Sequence, residues 1–209
     1  MQNVVIRAIE RLDFRTKEAY KTLRTNLSFA GKNVKVISLT SCTPNEGKTS
    51  VSFQLCLSLA ESGKQTILVD ADLRKSVLRG RYKANREKYG LSHYLSGQVE
   101  LDDACCRTNV NNFDIIFAGP VLPNPSELLG GDAFRNMLEV LRMKYDYVIV
   151  DTPPLGSVID AAIVGAICDG TVIVVESGAI SYKFVQNVKE QLNKVGCRIL
   201  GCVLNKVNT

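Results

Sequence analysis

Residues Val34–Ser62 read VKVISLTSCTPNEGKTSVSFQLCLSLAES, and their order decides the fold. Val34–Leu39 is a short, apolar, β-rich run. Lys48–Ser62 has helical spacing and closes on Ser62-Gly63, a glycine at the C-terminal cap. Between the two, Cys42-Thr43-Pro44-Asn45-Glu46-Gly47-Lys48-Thr49 follows the phosphate-loop pattern G-x-x-x-x-G-K-[ST], with Cys42 in place of the first glycine. Strand, loop and helix in that order curl successive backbone N–H groups around a phosphate and aim the positive end of the helix dipole at it. Lys48 is then placed to reach the β- and γ-phosphates, and the Thr49 hydroxyl to ligate Mg²⁺. Pro44, Asn45, Glu46, Gly47 and Ser50 complete the expected lining, and Asn45 tolerates the left-handed backbone that a tight loop asks for. A Gly-Lys-Thr triplet also opens ordinary helices; its position directly after an apolar strand favours the phosphate site.

The rest of the chain keeps the same rhythm. Further β-rich runs occur at Thr66–Val69, Phe113–Phe117, Tyr147–Val150, Thr171–Val175 and Arg198–Leu204. Segments with helical spacing lie at Ser126–Lys144, Ser157–Ile167 and Ser181–Val195, the last closing on Gly196. Strands alternating with helices predict an α/β fold, a P-loop NTPase with a mostly parallel central sheet and helices on both faces. Fully apolar strands such as YVIV and TVIVV suit a sheet buried on both sides. Ser76–Arg107 is the least regular stretch, with two short helical pieces and a basic run of Arg79, Arg81, Lys83, Arg86 and Lys88. It reads as an excursion on the binding edge of the sheet. The basic run is expected to be a solvated face, with contact to an adaptor's tail or a polyanion as the alternative.

Composition sets outer bounds. At 209 residues the chain holds one well-buried domain, and 45% hydrophobic with 22% charged residues is ordinary for a globular protein. The net charge of +5 is too mild to indicate nucleic acid. No apolar run reaches the roughly 18 residues that span a bilayer, and the charged N-terminus MQNVVIRAIERLDFR lacks the apolar core of a signal peptide. The chain is therefore expected in the cytoplasm, with any membrane association through a partner. Seven cysteines without a CxxC pair, and a single His93, argue against zinc and fit a reducing compartment. His93 reads as a surface or helix residue, not a catalyst.

Two acidic elements fall where a phosphate-loop protein needs them. Ile67-Leu68-Val69 leads into Asp70-Ala71-Asp72-Leu73-Arg74, placing two carboxylates just past the end of a strand. Val148-Ile149-Val150 leads into Asp151-Thr152-Pro153-Pro154, and an acid there can hold a magnesium-bound water beside the loop hydroxyl. One such Asp alone reads as a helix cap or turn former. Three at two strand ends beside a phosphate loop do not.

With these residues assembled, the sequence resembles the bacterial protein-tyrosine kinases that control capsule and exopolysaccharide synthesis. The resemblance runs from about Glu18 to Asn205. It rests on the loop Thr43–Thr49, on the apolar triplet followed by Asp70-x-Asp72-x-Arg74, and on Val148–Asp151 with Pro154. Pro123–Leu129 also matches a family segment, a turn leading into a helix with Ser126 or Asn124 as its cap. Glu18–Asn26 is similar to the family's E-x-x-R-x-x-R self-association segment, with Lys21 where the first arginine is expected.

The resemblance implies an ATP-dependent protein-tyrosine kinase with ATP/ADP and Mg²⁺ as ligands. It implies that Asp70 and Asp72 serve Mg²⁺ and the acceptor hydroxyl, with Asp72 taking the proton. Asp151 would act through a metal-bound water, and Arg74 would steady the phosphates or the neighbouring acids. It also implies a membrane adaptor whose cytoplasmic tail supports activity, a peripheral place at the inner face of the membrane, and a ring built through Glu18–Asn26. Residues 1–30 would then be an oligomerisation helix region and 31–209 the kinase domain, one compact unit overall. The family usually ends in a tail of clustered tyrosines, whereas the seven tyrosines here form no cluster. An acceptor tail removed beyond Thr209 is the expectation, with self-phosphorylation lost or much reduced; the alternative is a kinase acting on other substrates alone.

Two other readings stay open. An ATPase of the partitioning and septum-positioning type shares the fold and the acids, but that class carries an intersubunit lysine where Thr43 stands here. A nucleotide-gated assembly scaffold is the second, and the retained Lys48, Thr49, Asp70, Asp72 and Asp151 argue against it. No G-x-G-x-x-G follows the first strand, which sets dinucleotide binding aside.

Overall fold

The computed structural model describes residues 1–85 and 88–207. Arg86 of the basic run and the last two residues of the expected kinase domain lie outside the described residues. The strands are β1 (Gln2–Val4), β2 (Val36–Ser41), β3 (Thr66–Asp70), β4 (Cys106–Thr108), β5 (Phe113–Ile116), β6 (Tyr147–Asp151), β7 (Gly170–Glu176) and β8 (Ile199–Asn205). The helices are α1 (Phe14–Phe29), α2 (Lys48–Glu61), α3 (Leu78–Arg81), α4 (Leu91–Leu95), α5 (Leu101–Ala104), α6 (Pro125–Gly130), α7 (Asp132–Lys144), α8 (Asp160–Gly165) and α9 (Tyr182–Lys194).

The strands form one sheet in the order β1-β4-β5-β3-β6-β2-β7-β8, parallel except for the β4–β5 pair. All six predicted strands are present, shifted by a residue or two at their ends. Alternation along each central strand explains why both faces are covered. Ile37, Leu68, Ile149 and Val172 point to one apolar layer with α1 and α2. Val36, Ile67, Val69, Val148 and Val150 point to the opposite layer with Phe134, Met137 and Leu141 of α7.

The glycine helix ends are as the sequence predicts. Gly63 and Gly196 have φ of +84° and +77°. Each sits in a Schellman turn, with Lys64 N–H donating to Leu59 O at 3.2 Å and Cys197 N–H to Leu192 O at 3.0 Å. Asp13, unremarked in the sequence, caps α1 by accepting from Thr16 N–H at 2.9 Å.

Two expectations need correction. The Ser126–Lys144 run is two helices, because Gly131 is extended (φ −78°, ψ 167°) between α6 and α7. Of the two cap candidates, Asn124 is the cap of α6, in left-handed backbone and without a side-chain cap bond, and the Ser126 hydroxyl is used elsewhere. Among its described residues the irregular Ser76–Arg107 stretch holds three short helices, not two, and it ends in β4, which carries β1 at the sheet edge. Both β1 and β4 are three residues long and were not legible as strands.

Among the described residues no helix is long and apolar enough to cross a membrane. Cys42, Cys56, Cys105, Cys106 and Cys197 are buried thiols and Cys202 is exposed.

Candidate nucleotide-binding site

The site lies at the carboxyl ends of β2, β3 and β6, which are neighbours in the sheet. Leaving β2, the loop needs left-handed backbone at two positions, and the sequence supplies Asn45 (φ 70°) and Gly47 (φ 86°) there. At Gly47 a Cβ would also run into the side-chain amide of Asn205. Cys42 is not among the positive-φ residues, so its position does not demand glycine; its side chain packs in the apolar cluster with Leu155 and Ile173. Burial pushes that thiol up to about 12, so it stays protonated and behaves as a small hydrophobe.

Glu46 braces the loop from inside. Its buried carboxylate accepts from the backbone N–H groups of Cys42 and Thr43 at 3.1 Å each and from the Thr43 hydroxyl at 2.8 Å. Glu46, predicted as a ligand contact, therefore has its carboxylate committed to the loop itself. Outside the loop, Asn205 Nδ2 donates to Glu46 O at 2.8 Å and Lys206 Nζ to Asn45 O at 2.7 Å. Neither residue stood out in the sequence, since only the sheet order brings the end of β8 beside a loop that follows β2.

Lys48, Thr49 and Asp151 form one buried constellation. Lys48 Nζ lies 2.7 Å from Asp151 Oδ1, with the two side chains 6% and 1% exposed. The Thr49 hydroxyl donates to Asp151 Oδ2 at 2.7 Å, and Ser52, one turn along α2 from Lys48, donates to Asp151 Oδ1 at 2.9 Å. Asp70 sits across the strand pair from Asp151, Cα to Cα in register. Its own burial and then the Asp151 charge push its carboxyl up to about 7. The Ser76 hydroxyl donates to Asp70 Oδ2.

Asp72 is half-buried, and its Oδ1 accepts from the N–H groups of Arg74 and Lys75 at 3.3 and 2.9 Å. The Arg74 guanidinium is held by Asp160 and Ser126. Its Nε donates to Asp160 Oδ2 at 2.7 Å and its Nη2 to Asp160 Oδ1 at 3.1 Å and Ser126 Oγ at 3.0 Å, and Ser126 Oγ donates to Asp160 Oδ1 at 2.6 Å. Burial pushes the Asp160 carboxyl up, but the Arg74 and Ser126 bonds outweigh it and hold the group below the usual carboxylate range. In this arrangement Arg74 fastens the end of β3 to α6 and α8.

A cavity of about 340 Å³ is lined by the loop residues Pro44, Asn45, Glu46, Gly47, Lys48, Thr49 and Ser50, together with Asp72, Arg74, Pro153 and Pro154. Asp70 and Asp151 lie behind it, almost fully buried. Among the described residues no group of three His, Cys, Asp or Glu side chains converges as a ready metal cage. The donors present nonetheless fit Mg²⁺ beside a nucleotide, which needs one or two protein oxygens and completes its shell with phosphates and water. Thr49 Oγ1 and the Asp151 carboxylate meet at the first turn of α2, whose unpaired N–H groups face the loop.

A family model described as an AAA domain matches residues 34–201. A tyrosine-protein kinase CpsD of Streptococcus agalactiae is 44% identical over 194 residues, covering 93% of this chain and 85% of that protein. The kinase domain of the Escherichia coli tyrosine kinase ETK superposes with a TM-score of 0.88 at 35% identity, covering 97% of this chain and 83% of that one. The cell division ATPase MinD of Pyrococcus furiosus is more distant, with a TM-score of 0.68 at 26% identity, covering 82% of this chain and 71% of that one.

Proposed function

This chain belongs to the bacterial protein-tyrosine kinase family, and we propose that it transfers the γ-phosphate of ATP to tyrosine hydroxyls in the service of capsule or exopolysaccharide synthesis. One observation carries the reading. The phosphate-loop Lys48 and Thr49 converge with Asp151 at the sheet edge where Asp70 and Asp72 also stand, in a chain 44% identical to a tyrosine-protein kinase.

The geometry supports the following residue roles. Lys48 leaves Asp151 for the β- and γ-phosphates, held there by the loop amides and the N-terminus of α2. Thr49, Asp70 and Asp72 would hold Mg²⁺, with Asp151 acting through a water. Mg²⁺ held there would supply positive charge to offset the charge that develops on the phosphates during transfer. Asp72, half-buried on the wall of the nucleotide cavity, accepts the proton of the incoming tyrosine hydroxyl. Arg74, fastened to Asp160 and Ser126 by its side chain and to Asp72 by its backbone N–H, would steady the neighbouring acids.

Partners complete the proposal: a membrane adaptor acting through its cytoplasmic tail, and a ring of copies joined through Glu18–Asn26 of α1. The chain would sit at the inner face of the membrane and bind no nucleic acid. Within α1, Arg24 Nη1 already donates to Ser58 O of α2 at 2.7 Å, so the segment's remaining face, with Glu18 and Lys21 paired at 2.6 Å, would meet the neighbour. The septum-positioning alternative is weaker, because Thr43 occupies the intersubunit-lysine position and its hydroxyl is spent on Glu46.

Incubation with Mg²⁺-ATP and a tyrosine-rich peptide, with and without the adaptor's cytoplasmic segment, tests the reading. Phosphotyrosine on the peptide that Lys48→Met and Asp72→Ala both abolish is the expected result. Steady ATP hydrolysis without phosphotyrosine, even with the adaptor segment, refutes it.

A further inference from the structure

Arg81, the last residue of α3, lines the nucleotide cavity together with Ser50 of the phosphate loop's helix. Its Nη1 donates to the Ser50 hydroxyl at 2.9 Å. The backbone behind it is firmly placed. Leu78 and Tyr82 on either side are 1% and 4% exposed, and the Tyr82 ring stacks on Phe53 of α2. Tyr82 O also accepts from the N–H groups of Arg7 and Ala8, at 3.2 and 3.1 Å. A segment that packs on the middle of α2 thus carries a guanidinium to the first turn of the same helix.

A helix N-terminus is the positive end of its dipole, a place that suits anions and repels cations. Arg81 rests there on a neutral hydroxyl, three residues past Gly47, with the Lys48 side chain lining the same cavity. A phosphate entering between them satisfies the guanidinium, the hydroxyl and the first-turn N–H groups together, by charge-assisted bonds. The position also says which phosphate. In this loop pattern the backbone amides cradle the α- and β-phosphates, while the lysine reaches toward the γ-phosphate. Ser50 stands beyond Lys48 and Thr49, farther into the helix. We propose that Arg81 is a nucleotide-binding residue whose planar fork clasps the non-transferred α- and β-phosphates from the α3 side. The inference rests on the ATP-binding reading and deepens it, adding a phosphate contact from outside the loop.

The test is calorimetric titration of the full chain, in Mg²⁺, with ADP and with a non-hydrolysable ATP analogue. Arg81→Gln and Arg81→Lys are compared with the parent, and all three are melted without nucleotide. Losing a charge-assisted bond predicts that Arg81→Gln weakens both nucleotides by the same factor, about tenfold. Arg81→Lys should recover part of the loss, since it keeps the charge but not the fork. The nucleotide-free melting temperature of Arg81→Gln should not fall, because the variant removes a cation from the positive end of a helix. Unchanged ADP affinity in Arg81→Gln overturns the assignment. So does a loss confined to the ATP analogue, which would put Arg81 at the γ-phosphate. A weaker affinity matched by a lower nucleotide-free melting temperature also overturns it, since Arg81 would then merely support the fold. A parent that binds ADP with this Arg81 dependence yet forms no phosphotyrosine keeps the assignment and sinks the kinase. A parent that binds neither nucleotide sinks both.

Discussion

Removing both partners of the Lys48–Asp151 pair should destabilise the nucleotide-free protein by less than the sum of the two single removals. The two side chains are 6% and 1% exposed and 2.7 Å apart, so deleting one strands a buried charge. Breaking such a pair typically costs about 3–5 kcal/mol. Lys48→Met belongs at the lower end, about 3 kcal/mol, because Asp151 keeps the Thr49 and Ser52 hydroxyls as donors. Asp151→Leu belongs at the upper end, about 5 kcal/mol, because it strands an ammonium and the Thr49 hydroxyl, while Ser52 keeps Lys48 O as an acceptor. The double variant replaces the pair with apolar volume, and its cost should fall short of the sum by about 2–3 kcal/mol. Urea unfolding followed by circular dichroism, in EDTA and without nucleotide, reads this directly. With a slope of about 2 kcal/mol/M, Lys48→Met should move the midpoint down by about 1.5 M. Single variants that cost under about 1 kcal/mol and add up in the double would refute the reasoning, since they would mean that water already screens the pair.

Three further outcomes follow from the same site. Asp70 is raised by burial, and then by Asp151, from 3.8 to about 7, so its protonated form is the stabilising one: the contribution is full below about 3.8 and is lost as pH rises through about 7. At 1.36 kcal/mol per pH unit the span is worth up to about 4 kcal/mol, and Asp70→Asn should remove that part of the decline in melting temperature between pH 5 and pH 8. Arg74→Gln should destabilise the fold by about 2–3 kcal/mol, because fully buried Asp160 loses a two-pronged partner. Asp160→Asn in the same background should recover part of that loss in thermal melts, which a purely phosphate-binding Arg74 would not allow. Glu46→Gln leaves the Thr43 hydroxyl and two loop amides sharing one acceptor oxygen, and at about 1–2 kcal/mol calorimetric affinity for Mg²⁺-ADP should fall roughly tenfold with little change in melting temperature.

Much of this protein was legible because its information is local. The phosphate loop is contiguous, its left-handed positions carry Asn45 and Gly47, and the central strands are apolar on both faces because helices cover both. Hydrophobic period and glycine chemistry act over a few residues, so they determined the α/β class, six strands, both Schellman ends and the acids at the ends of β3 and β6. Short edge strands escaped, since three residues of β1 or β4 carry no period, and their pairing joins segments about a hundred residues apart in the chain. What the tertiary structure alone decided is which distant groups meet. Sheet order sets Asn205 and Lys206 against the loop carbonyls, in-register pairing sets Asp70 against Asp151, and packing of α6 and α8 gives Arg74 the buried Asp160 as its partner. Such contacts depend on long-range closure and on the desolvation of charge, quantities that belong to the folded solid and have no signature in neighbouring residues.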